Sequence, residues 1–284
     1  MSDAGPTAVL PRRPLTVGEL LDAAVLLLRD QARVLLPLAL PLALAEQVLL
    51  HPVRMLAGAH PPGWWPGGWA GGEPRLGWYW LLLAVGAATE AMIIALLGNP
   101  AARGGGAALL GRRLAPSELL RAARPGATVL AAVTVGLIVG LAGLAGPAWF
   151  VAYGLLGLVV PVLMLDGVPA HRAPGRAVRL AGRVGGRAGA VRLLGYLGWW
   201  LVRVGIGLGV PYGLGLLGLF DVSAWALPVA VAAQAAVNTL AYPALACLDA
   251  VLHLETRIRT EGLDIRLSRA PAGVPEPVLL AARR

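Results

Sequence analysis

Residues 127–165 read ATVLAAVTVGLIVGLAGLAGPAWFVAYGLLGLVVPVLML, from Ala127 to Leu165 without one charged side chain. A helix crosses a hydrocarbon core of about 30 Å with about 20 apolar residues, whereas strands and loops would leave backbone polar groups unpaired in lipid. This run is long enough for two crossings, and Gly146-Pro147 near its middle supplies the turn between them. The expected element is therefore a tight helical hairpin over 127–145 and 147–165.

Working outward, four more segments approach spanning length, at 34–51, 76–98, 193–219 and 222–249. The chain is 57% hydrophobic and only 14% charged, which excludes an ordinary water-soluble core. Lysine is absent, and every one of the 24 basic residues except Arg54, Arg75 and Arg203 falls in four stretches. These are Arg12 to Arg33, Arg103 to Arg124, Arg172 to Arg192, and Arg257 to Arg284. Basic segments are retained in the cytoplasm. Both termini are thus expected there, in a multi-pass cell-membrane protein.

Tryptophan favours the membrane interface, and Trp64, Trp65, Trp69, Trp78, Trp80, Trp149 and Trp225 all map to the opposite side. The Pro- and Gly-rich 52–75 loop is expected to lie irregularly on that surface. The net charge of +9 does not imply nucleic acid, because the arginines flank apolar runs instead of forming a face on a soluble fold. The expected partners are the bilayer, with anionic headgroups at the cytoplasmic face, and a membrane protein. Cys247 is the single cysteine. The first long apolar run starts too far behind Arg12-Arg13, with no clean small-residue site after it, for a cleaved signal to be expected.

An internal repeat organises the spans. Gly18-Glu19-Leu20-Leu21-Asp22-Ala23-Ala24 recurs as Ser117-Glu118-Leu119-Leu120-Arg121-Ala122-Ala123, each copy just before a span. Val17, Leu20, Leu21, Ala24, Val25 and Leu28 share one helical face, and Thr16 with Glu19 forms a capping box. Pro174 to Leu180 occupies the corresponding place before the fifth span. The expected fold is all-α: a polytopic bundle of six transmembrane helices in three hairpins, each preceded by a cytoplasmic amphipathic helix. It should occupy 16–267, between a flexible 1–15 and a disordered cytoplasmic tail, 268–284. Gly136 with Gly140, and Gly205, Gly209 and Gly213, have the four-residue spacing of close helix contacts in lipid.

The opening Arg13-Pro14-Leu15-Thr16-Val17-Gly18-Glu19-Leu20-Leu21-Asp22-Ala23 resembles that of uncharacterised six-span membrane proteins of high-GC Gram-positive bacteria. These are related to the membrane domain of glycerophosphoryl diester phosphodiesterases. Pro161 to Gly167 with the basic Arg176 to Arg192 stretch, and Leu254 to Asp264, are similar to further passages of that family. The resemblance implies a membrane module and carries over no catalytic residue, because the family's phosphodiesterase chemistry belongs to a separate soluble barrel.

Ser2, Ser117, Ser223 and Ser268 lack a plausible intramembrane base. His51 and His60 map to one side of the membrane, and His171 and His253 to the other. No enzyme, cofactor or metal centre is expected. The informative polar residues are those inside spans, where a charge costs about 2.5–3.5 kcal/mol on insertion scales: Glu46, Glu90, Arg203, Gln234 and Asn238. At about 1.5 Å per residue, Glu90 lies roughly 12 Å deep, Arg203 roughly 15 Å and Asn238 roughly 16 Å from the cytoplasmic ends of their spans. Glu90, Arg203 and Asn238 are therefore expected to form one layer, with Asn238 completing the Glu90–Arg203 pair. Glu46, in the outer half, should either carry a proton or face a polar cavity. The expected function is a non-catalytic scaffold or partner subunit of a membrane assembly, and the alternative is a small transporter or lipid-handling permease with a polar site at mid-membrane. A cavity reaching the three residues favours the second, and a dry packed core the first.

Overall fold

The computed structural model describes residues 10–59, 76–121, 123–218, 222–271 and 274–282. In chain order these form α1 (Val17–Ala57), α2 (Leu76–Leu109), α3 (Pro116–Leu120), α4 (Pro125–Leu144), α5 (Ala148–Leu156) and α6 (Val159–Leu165). A 3-10 turn at Ala170–Arg172 leads to α7 (Ala173–Leu216), α8 (Val222–Glu261), α9 (Leu263–Ser268) and α10 (Glu276–Leu280). No strand occurs among the described residues, and the architecture is an all-α bundle. Six stretches are long and apolar enough to cross a membrane: α1, α2, α4, α5 with α6, the 3-10 turn with α7, and Leu227–Glu261 of α8.

The repeated units start alike. In α1 the Glu19 carboxylate accepts the Thr16 backbone N–H at 2.8 Å, and the Thr16 hydroxyl accepts the Glu19 N–H at 3.3 Å. At α3 the equivalent Glu118 accepts the Ala115 N–H at 2.7 Å, the same backbone capture without the hydroxyl. The units then diverge. The first amphipathic segment runs without a break into its span, through Pro37, Pro41 and Pro52, because lipid offers the backbone no alternative to helix. The second is a single short helix ended before Pro125, whose ring disfavours helical backbone at Arg124; that residue sits at φ 53°. The third ends at Arg183, where Val184, Gly185 and Gly186 take left-handed conformations before α7 resumes.

Packing follows residue size. An added Cβ at Gly136 would stand 2.8 Å from the Ala88 carbonyl, and one at Gly140 2.8 Å from the Ala88 Cβ, so α4 lies directly on α2. The expected second glycine contact is absent: Gly205, Gly209 and Gly213 face open space, and the half of α7 they occupy is largely exposed. Spacing identified a smooth helix face but not a partner for it. The most thoroughly enclosed span is α8, which packs against α1, α2, α6 and α7.

Three expectations about the chain's edges change. The 52–75 loop begins later than expected, since α1 stays helical to Ala57; residues 60–75, with Trp64, Trp65 and Trp69, lie outside the described residues. In the expected flexible N-terminus, residues 1–9 are likewise outside, but Leu10 and Leu15 are buried. The tail expected to be disordered from Ser268 instead returns to the bundle. Arg257 donates to the carbonyls of Leu280 (2.6 Å) and Ala281 (3.2 Å), Arg266 to those of Ala281 and Leu279, and the Ala282 N–H to the Asp166 carbonyl. Proline-rich composition marked weak helix formation and did not reveal carbonyls being captured by Arg257 and Arg266.

Candidate functional site

Glu90 on α2 and Arg203 on α7 meet as the depth count expects, with Arg203 Nη2 2.8 Å from Glu90 Oε1. Both are buried, although these atoms are poorly aligned for a directed hydrogen bond, so the contact acts through charge. Asn238 does not complete this pair. Its Nδ2 donates instead to Glu46 Oε2 at 3.0 Å and to the Tyr242 hydroxyl at 2.7 Å. Tyr242 also donates to Glu46 Oε2, and Thr89 donates to Glu46 Oε1 at 3.0 Å. Glu46 is thus held by three donors, from α2 and from successive turns of α8. Tyr242 joins the two groups, its ring centre lying 5.2 Å from the Arg203 guanidinium carbon, and the Tyr196 ring centre lies 5.8 Å from the same carbon.

Above this layer is a cavity of about 900 Å³, towards the large end of ordinary ligand pockets. Glu46, Glu90, Arg203, Asn238 and Tyr242 all line it. Most of its wall is apolar, built from Leu50, Leu82, Leu83, Trp149 and Leu193 among others. It exists because α2 and α7, bridged by Glu90 and Arg203, otherwise pack little against each other. Trp80, Phe150, Leu194 and Leu197 line the cavity and are also exposed, so they mark where it opens sideways. Trp149, expected as an interface anchor, is part of this wall, stacked on Tyr153 at 5.0 Å and edge-on to Tyr196 at 5.0 Å.

Two polar groups escaped the reading of spans. Arg192, counted with a basic loop, is buried and forms a two-point pair with Asp249 of α8, at 2.6 Å and 3.1 Å. It also donates to the Tyr153 carbonyl and lies 3.8 Å from the Tyr153 ring centre. Near the face carrying the termini, Asp166 holds a second centre. Its Oδ1 is 2.8 Å from Arg257 Nη1 and 3.0 Å from His253 Nε2, and Arg176 donates to its Oδ2. Arg176 and Arg257 also share Glu261, and Arg187 and Arg259 share Glu255 while donating to the Leu15 carbonyl. Burial pushes the Asp166 carboxyl up, but His253, Arg257 and Arg176 outweigh it and hold the group down at about 2.

The sequence carried a signal for these residues. Gln234, Asn238 and Tyr242 recur every fourth residue, as do Asp249, His253, Arg257 and Glu261, which places polar groups in rows along an otherwise apolar helix. No protein-family model matches the chain, and no curated protein or solved structure matches it.

Proposed function

We propose that this protein is a lipid-handling integral membrane protein of the cell membrane, with both termini in the cytoplasm, that admits an amphiphile sideways from the bilayer. The observation that carries the reading is the roughly 900 Å³ cavity reaching Glu90, Arg203 and Asn238. A dry core there would have favoured the scaffold expected at first. The apolar wall suits acyl chains, and the polar floor suits the hydrogen-bonding end of a molecule that carries them. Exposed Phe150, Leu194 and Leu197 at the opening let such a molecule enter without passing through water. The protein performs this role without catalysis, and Glu46, Glu90, Arg203, Asn238 and Tyr242 on the cavity floor are engaged with one another in contacts that fix helix positions. The resemblance to the phosphodiesterase membrane domain agrees with a lipid setting and supplies no reaction.

The test is lipid retention. The protein is purified in mild detergent, delipidated in steps and analysed by mass spectrometry, beside Gly86→Phe. Gly86 lines the cavity, and a Cβ there would meet nothing nearer than Leu50 at 4.0 Å, so the ring enters the cavity. Wild type should keep about one lipid per chain at a step where Gly86→Phe, equally heat-stable, keeps none. Equal retention by both removes the cavity from the account.

A further inference from the structure

One buried cation remains unexplained by the pairs above. Arg54, on the last turn of α1, lines the cavity and is 7% exposed, yet its Nη1 is buried without a hydrogen-bond partner among the described residues. Glu46 lies two turns away on the same helix, about 12 Å along the axis, and is already held by Thr89, Asn238 and Tyr242. Glu90 is committed to Arg203. Around Arg54 the same deficit recurs. Gln47, 4% exposed, has neither amide atom bonded, and Gln234 of α8, 6% exposed, has its Oε1 unbonded. Both side chains line the cavity. Gln47 and Arg54 stand seven residues apart, on one face of α1.

Buried polar atoms normally have partners, and an unpaired buried cation is the most costly exception. Arg54 Nη1 and Gln47 Nε2 are buried donors without an acceptor on the wall of one largely apolar cavity, and Gln47 Oε1 and Gln234 Oε1 are acceptors without a donor there, a set that a ligand carrying both kinds of group would satisfy. We infer that Arg54, with Gln47 and Gln234, binds the anionic phosphate of the amphiphile whose chains occupy the cavity. The guanidinium presents its planar N–H fork to two phosphate oxygens. The Gln47 amide donates to a third, and the Gln234 carbonyl accepts from a headgroup hydroxyl. The site lies towards the end of α1 away from the termini, so the lipid is taken from the leaflet opposite them. This inference rests on the lipid-handling reading and specifies which lipids it concerns.

The test compares a phosphatidic acid or phosphatidylglycerol with a diacylglycerol of identical chains, each added to delipidated protein in detergent and counted by native mass spectrometry. Wild type should bind the phospholipids at least about tenfold more tightly than the diacylglycerol, the scale of a charge-assisted hydrogen-bonded contact. Arg54→Gln should lose that preference while keeping diacylglycerol binding, and Arg54→Lys should keep part of it. Retained diacylglycerol binding and unchanged melting certify that the variants are folded. Equal affinity for phospholipid and diacylglycerol in wild type overturns the phosphate site and leaves the apolar cavity standing. Absence of both overturns the cavity reading as well. Inorganic phosphate at millimolar concentration separates the sources. Displacement of phospholipid, lost in Arg54→Gln, assigns the site to phosphate itself, and failure to displace assigns it to phosphate presented on a lipid.

Discussion

Gly157 sits between α5 and α6 beneath the Arg192–Asp249 pair, and replacing it by alanine tests that pair without touching either charge. The new Cβ would stand 2.0 Å from Arg192 Nε, 2.4 Å from its Cδ and 2.6 Å from Asp249 Oδ1. Arg192 cannot simply swing aside, because it is 3% exposed and fixed by Asp249 and by the carbonyl and ring of Tyr153. Relief of the overlap requires the ion pair to open inside the bundle. Breaking a buried pair costs about 3–5 kcal/mol, and the lower end applies because both partners remain. At roughly 2 °C per kcal/mol for a chain of this size, Gly157→Ala should melt on the order of 6 °C below wild type in detergent. The same substitution in an Arg192→Met, Asp249→Leu background has no pair to break and should shift melting by no more than about 2 °C. An equal drop in both backgrounds would refute the reasoning and assign the cost to the backbone alone. No drop in wild type would refute the packing itself.

For the Glu90–Arg203 pair, Glu90→Gln and Arg203→Met should each destabilise by about 3–5 kcal/mol, while the double variant regains most of the loss; additive losses in detergent unfolding would sink the pairing. Gly136→Ala should cost about 1–3 kcal/mol by overpacking against Ala88, whereas Gly209→Ala, in open space on a helix, should be neutral or gain up to about 1 kcal/mol, both read as melting shifts. The depressed Asp166 carboxyl makes stability acid-sensitive. Its folded value, about 2, is below the ordinary one, so its contribution of about 2 kcal/mol is fully present above about pH 4 and disappears as pH falls towards 2. Melting measured across that window should lose this component in Asp166→Asn, whose tail should also be cut faster by protease at neutral pH.

Much of the architecture was legible because lipid narrows the choices. Span length, the Gly146-Pro147 turn and the Thr16–Glu19 cap follow from local chemistry, and counting 1.5 Å per residue was enough to bring Glu90 level with Arg203. Counting depth does not give azimuth. Asn238 reaches the right layer but faces Glu46, since each residue turns the helix face by about 100° and the neighbour on that face is a tertiary fact. Arg192 was misplaced for a different reason: as the last arginine of a basic stretch it counted towards topology, although Asp249 in the apolar run of α8 was waiting for a cation. The cavity itself was illegible, because it arises from α2 and α7 standing apart, and residue composition does not record a separation.

The helix that completes these polar layers is made after the other five spans described above. Ribosomal synthesis delivers Glu46, Glu90, Asp166, Arg192 and Arg203 before α8, yet Asn238, Tyr242, Asp249, His253 and Arg257 all reside on α8. Until that helix arrives, a nascent chain in the bilayer carries Asp166 without two of its partners, Glu46 without two of its donors and Arg192 without its carboxylate. Closure of these polar layers therefore waits for α8. A chain truncated before Val222 retains five of the six spans and leaves these groups exposed to membrane quality control.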